Sequence, residues 1–165
     1  MQQVVEFEPQ SQVEHSNHEP PLAFLDTDVI LGYLRGEPAA VELFRAESEE
    51  HIRFAINPIV VGELILTTED AVKPELGRVL DHVKILPIDY AKAKALVAKA
   101  ARTRETPNGQ SPRTKLPHPS DIINASTVDD CDFLVTNNRL LKDLIAGDRP
   151  QVVTLDELVA RLRAA

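Results

Sequence analysis

The sequence predicts an α/β domain built on a parallel sheet with helices on both faces. Short apolar runs alternate with helix-period stretches from Leu22 to the C-terminus, the order expected of strand–helix–strand units rather than of hairpins. Runs such as Leu22-Ala23-Phe24-Leu25 and Phe133-Leu134-Val135 are continuously apolar, as strands buried on both faces are. The chain has 165 residues, 43% hydrophobic and 27% charged, which fits one ordinary domain with a sizeable core. It contains no internal repeat.

Taken in order, residues 1–21 are polar and mostly acidic, carry no sustained period and read as a tail before a domain at 22–165. His15 and His18 lie in it, among prolines that argue against a helical metal pair. Residues 22–25 form a strand, and an amphipathic helix runs from Val29 with Thr27 or Asp28 as its cap. Asp26 and Asp28 then stand at the strand's C-terminal end, the edge where open α/β sheets bind ligands. Gly36-Glu37-Pro38 breaks the chain, and Pro38 opens a helix over 39–50 with Val41, Leu43 and Phe44 on one side. A strand over 53–56 leads to Asn57, the cap of a helix over 59–67. Glu63 sits inside that apolar helix, where a charge is costly unless paired or bound to a cation. A helix over 74–83 and a strand over 84–88 follow, then a helix over 90–104 with Ala93, Leu96, Val97 and Ala100 at helical spacing.

Residues 106–112 are a loop by every breaker signal. Around it Arg102, Arg104, Arg113 and Lys115 form a basic patch on an acidic chain. It reads either as a solvated loop or as a set of RNA phosphate contacts. Ser120 is placed as the cap of a helix whose first turn carries Asp121. A strand over 132–136 ends in Asn137-Asn138. Then come a helix over 139–146 closed by Gly147, a short strand over 151–154 and a C-terminal helix from Leu155.

The net charge of −8 argues against a general nucleic-acid coating protein but not against an enzyme that holds cations in an acidic pocket. Cys131 is the only cysteine, so no intrachain disulfide forms, and a reducing, cytoplasmic compartment fits. Its neighbours Asp129, Asp130 and Asp132 raise a thiol pKa, the wrong direction for a nucleophile. No apolar run reaches membrane-spanning length, and the chain does not open on a basic-then-apolar leader.

Asp26, Glu63 and Asp121 stand out as acids on ligand-facing positions. Each also has an ordinary reading: Asp26 as a turn or cap residue, Glu63 on a solvated edge or paired with a distant Arg, Asp121 as a complement to the helix dipole. Carboxylates brought together repel and hold protons unless a divalent cation lies between them. Mg²⁺ and Mn²⁺ take oxygen ligands from a few carboxylates, waters and phosphate oxygens, and such a site supports attack at phosphorus.

Four segments together resemble the PIN domain family, and within it VapC-type toxin ribonucleases. They are residues 24–30 (Phe-Leu-Asp-Thr-Asp-Val-Ile), residues 61–64 (Val-Gly-Glu-Leu), Leu116-Pro117 followed by residues 121–125 (Asp-Ile-Ile-Asn-Ala), and residues 133–138 (Phe-Leu-Val-Thr-Asn-Asn). Their order and spacing agree with the family from about Leu22 to Leu158. The resemblance implies a PIN-like three-layer α/β/α domain, a parallel sheet sandwiched by helices with an acidic pocket at its carboxyl edge. It implies Mg²⁺- or Mn²⁺-dependent endoribonuclease activity, with Asp26 and Asp121 as metal ligands and Glu63 as a ligand or water-positioning carboxylate. Thr136 and Asn138 would line the pocket. It also implies a homodimer and a cognate antitoxin partner.

Two features depart from the family pattern. Asn138 stands where many members carry a fourth acid, which bears on a second metal. His118-Pro119-Ser120 is an extra piece before Asp121. A different class, a haloacid-dehalogenase-like phosphatase, would use Asp26 as nucleophile and Asp28 as its acid/base partner. It would draw its lysine from Lys142, but it leaves Glu63 without a role. A third class is a binding module that keeps the fold without catalysis.

Overall fold

The computed structural model describes residues 19–102, 118–138, 141–142, 145 and 149–164, with only the backbone for 100–102. The fold is α/β. A five-stranded sheet has the order β3-β2-β1-β4-β5 and is parallel throughout. The strands are β1 (Leu22–Leu25), β2 (Arg53–Ile56), β3 (Lys84–Ile85), β4 (Phe133–Val135) and β5 (Gln151–Val153). Between and after them lie α1 (Thr27–Leu34), α2 (Pro38–Ser48), α3 (Pro58–Thr67), α4 (Lys73–His82), α5 (Tyr90–Arg102), α6 (Pro119–Ser126) and α7 (Leu155–Ala164).

The central strand β1 is buried at every residue, which is why its sequence is apolar without alternation. It pairs with β2 through Ala23 opposite Phe54 and with β4 through Phe24 opposite Leu134. The connections first step from β1 to β2 to β3, then return across the sheet to β4 and β5. Right-handed crossovers put the connections of the two directions on opposite faces. On one face α1 packs on α2 and α2 on α7. There Tyr33 stacks on Phe44 at 4.0 Å, and Phe44 meets Phe54 of β2 at 4.9 Å. On the other face α5 packs on α6. Phe24, Leu25, Ile30, Leu43, Ile56 and Leu134 are fully buried between the layers. The change of direction falls between β1 and β4, so the crevice at their carboxyl ends is the topological switch point.

Several expectations shift in detail. The end of the expected tail is tied down, since Arg53 binds the Pro20 carbonyl through Nε at 3.0 Å and Glu19 through Nη2 at 2.8 Å. His15 and His18 lie outside the described residues. Helix α1 begins two residues before Val29. Gly36, at φ +75, makes the turn after it that a side chain resists. Val41 is exposed where a buried position was expected, while Ala40 and Leu43 take the inner face. Strand β3 has only Lys84 and Ile85, extended by the Leu86 N–H on the Ile56 carbonyl, and Ile88 is exposed. Val97 also faces outward. Of the expected helix over 139–146, only Leu141, Lys142 and Ile145 are described, and Leu141 is buried.

Candidate active site

Three elements deliver carboxylates to the switch point. Asp26 follows β1 directly and is itself the N-cap of α1. Its extended backbone lets Oδ1 accept the Thr27 N–H at 2.9 Å, so neither Thr27 nor Asp28 holds the cap. Its other oxygen, Oδ2, accepts the Thr136 hydroxyl at 2.7 Å from the end of β4. Burial pushes the Asp26 carboxyl above the usual carboxylate range. The Thr136 and Thr27 hydrogen bonds oppose the shift, and the charges of Asp121 and Asp28 add to it.

Glu63 lies midway along α3, whose start is set by Asn57. That side chain is fully buried; its oxygen accepts the N–H groups of Ile59 and Val60, and its amide donates to Asn124 at 3.0 Å and Thr127 at 3.2 Å. The bridge joins the start of α3 to α6, the helix that carries Asp121. Glu63 is half-buried and accepts a short hydrogen bond from the Thr27 hydroxyl. The apolar flanks that suggested deep burial do not provide it: Ile65 and Leu66 are exposed on the outer side of the helix.

Asp121 is the third residue of α6. The cap is His118 rather than Ser120, and Asp121 closes a capping box by accepting the His118 N–H on Oδ2 at 3.0 Å. The same oxygen accepts the Asn138 amide at 2.6 Å. No described residue donates to Oδ1. Asn138 also donates its backbone N–H to the Thr136 hydroxyl at 3.1 Å. A continuous hydrogen-bonded chain therefore runs Asp26–Thr136–Asn138–Asp121.

Asp26, Glu63, Asp121 and Asn138 line one open cleft of about 570 Å³ together with Asp28 and His118. A larger apolar groove of about 820 Å³ lies between α1, α2 and α4, walled by Phe44, Phe54 and Val79. The acids along it are ordinary rim charges, such as Glu75 paired with Arg78, so the acidic cleft is the candidate site. Among the described residues, no three Asp, Glu, His or Cys side chains stand close enough to hold one metal ion by themselves. The donors are nevertheless all hard oxygens, as Mg²⁺ and Mn²⁺ prefer. Mg²⁺ is ordinarily held by one or two carboxylates with waters and phosphate completing the shell. A pair of acids joined through neutral donors fits that demand.

Arg104, Arg113 and Lys115 lie outside the described residues, as does the side chain of Arg102. Lys142 is exposed and does not line the cleft, so among the described residues the Asp26-Thr27-Asp28 segment has no lysine of the kind a phosphatase needs. The Cys131 thiol is buried and pushed up to about 12, by burial first and then by Asp130 and Asp132, so it is not a nucleophile. The cleft-lining residue that the sequence did not single out is His118. It was legible only as an insertion, because its cap role depends on the backbone angle at that position.

Fold and site together define an α/β chain with an acidic crevice at the carboxyl edge of a parallel sheet. The chain is similar to a chain in the crystal structure of VapBC2 from Rickettsia felis bound to a DNA fragment from their promoter. The TM-score is 0.58 at 16% identity, covering 81% of this chain and 98% of that one. No family model matches the sequence. No curated protein matches it either. No helix among the described residues is long and apolar enough to cross a membrane.

Proposed function

We propose that the chain is a PIN-type, Mg²⁺- or Mn²⁺-dependent endoribonuclease, the toxin of a toxin–antitoxin pair. The observation that carries this reading is the hydrogen-bonded chain joining Asp26 to Asp121 across the switch point. It holds two acids from well-separated segments of the sequence in one crevice, and burial leaves Asp26 reluctant to carry its charge without a cation nearby. The similarity in fold to a VapBC2 chain supports the same reading.

In this reading Asp26 and Asp121 would hold the ion, with Glu63 beside them. When bound, the ion supplies positive charge to phosphoryl oxygens and acidifies water. The protein's part is orientation. Thr27 N–H and Thr136 Oγ1 fix both oxygens of Asp26. Asn138 and the His118 N–H share one oxygen of Asp121 and leave the other without a described donor. Thr27 turns Glu63 toward the same segment, where it can accept a proton from an attacking water. A neutral Asn138 adds no charge, so substrate phosphate would supply the remaining oxygen ligands to a bound ion.

Purified protein is expected to cut RNA with Mg²⁺ or Mn²⁺ and to stop with EDTA. Hydrolysis of a small phosphomonoester through an aspartyl-phosphate on Asp26, without RNA cleavage, would overturn this in favour of a phosphatase. A homodimer and a cognate antitoxin belong to the same proposal. Sizing of the purified chain, alone and co-expressed with the neighbouring reading frame, tests both.

A further inference from the structure

The cleft wall carries four carboxylates: Asp26, Asp28, Glu63 and Asp121. Together they repel a polyanion, so a nucleic-acid strand needs donors in the wall that are not already committed. Most are committed. The Thr27 hydroxyl goes to Glu63, the Thr136 hydroxyl to Asp26 and the Asn138 amide to Asp121.

His118 differs. Its Nδ1 stands 2.8 Å from Ser120 Oγ and 3.4 Å from the Ser120 backbone nitrogen. A backbone N–H can only donate, so the ring meets this contact by accepting on Nδ1, the arrangement that puts the proton of a neutral imidazole on Nε2. No described residue bonds to Nε2. The cap thus fixes both the tautomer and the ring position, and it leaves one N–H donor on the cleft wall three residues before Asp121. In sequence, His118 also follows the basic stretch that ends at Lys115.

We propose that His118 is a substrate-positioning residue whose Nε2–H donates to a phosphate oxygen of the RNA strand beside Asp121. This rests on the nuclease reading. It gives the extra His118-Pro119-Ser120 piece a task that cap geometry alone does not require, since Ser or Asn would cap as well.

His118→Asn separates the two roles in the full-length protein. Asn keeps an oxygen for the Ser120 N–H but has no distal donor. Thermal unfolding should match wild type. Affinity for a short, labelled single-stranded RNA, measured by fluorescence anisotropy with Ca²⁺ in place of Mg²⁺, should fall about fivefold. In turnover, KM should rise while kcat holds, because the bond is made alike in ground and transition states. Long-range ¹⁵N spectra of the wild-type imidazole should show the proton on Nε2. A proton on Nδ1, or an asparagine variant that binds RNA as tightly as wild type, overturns the proposal while leaving the nuclease reading in place. RNA that binds neither protein overturns both.

Discussion

Asn138→Asp tests whether the crevice is an ion site that has lost one charge. The Asn138 amide donates to Asp121 Oδ2 at 2.6 Å, so the substitution replaces a donor–acceptor contact with two carboxylates. After the side chains swing apart to about 4 Å, two unit charges repel by about 1 kcal/mol in bulk water and about 4 kcal/mol at a protein-surface dielectric. Both groups are half-exposed, so the lower half of that range applies. The lost bond to a charged oxygen adds roughly 1 kcal/mol once water replaces the amide. Metal-free protein should therefore lose about 2–3 kcal/mol, or roughly 5–10 °C in Tm for a domain of this size. That exceeds the slight loss that charge counting from the sequence suggests, because the sequence does not reveal the amide's bond to Asp121. With Mn²⁺ the sign reverses: a further carboxylate beside the ion should add about 1 kcal/mol or more of attraction and tighten binding several-fold. Thermal melts of both proteins in EDTA and across a Mn²⁺ titration measure both effects. A variant as stable as wild type in EDTA would show that the amide does not hold Asp121. One that binds Mn²⁺ no tighter would show that the ion lies elsewhere.

Three further outcomes follow from the same geometry. Asp26→Asn should abolish most cleavage yet raise metal-free stability at neutral pH. The folded carboxyl titrates above its unfolded range, so wild type carries no penalty in acid and loses stability as pH rises through the folded value; the gap between the two proteins, read from urea melts, should close at low pH. Thr136→Val removes the donor to Asp26 and the acceptor for the Asn138 N–H, and should cost about 2 kcal/mol in denaturant melts and weaken Mn²⁺ binding. Asn57→Ala removes a cap and strands the buried Asn124 oxygen, and should cost about 3 kcal/mol in the same melts.

What the sequence made legible, and what it did not, divides on a physical line. Strand β1, the Asn57 cap and the Pro38 helix start were readable because one residue type meets one local need at each. The facing of α3 was not. A helix apolar all round has no period from which to tell its inner side, and only packing shows that Val60 and Leu64 go in while Ile65 and Leu66 stay out. The caps of α1 and α6 were each placed too late, at Thr27 or Asp28 instead of Asp26 and at Ser120 instead of His118. Asp, Thr, Ser and His are all able to cap, and the choice among neighbours is made by the backbone angle.

That error bears on the site itself. Capping and ligand-binding roles for Asp26 and Asp121 look like competing alternatives in the sequence, but in the structure the cap bond occupies only one oxygen of each carboxylate. Asp26 caps α1 with one oxygen and takes Thr136 on the other; Asp121 serves its capping box and Asn138 with one oxygen and has no described donor on the other. A helix that starts at the carboxyl edge of a sheet needs an acceptor at the place where an ion site needs a carboxylate, so one aspartate can meet both needs. Alanine at either position would remove both roles and could not tell them apart. Asparagine keeps an acceptor for the cap while removing the charge, so loss of activity in a variant that unfolds no earlier than wild type assigns the ion role to the carboxylate.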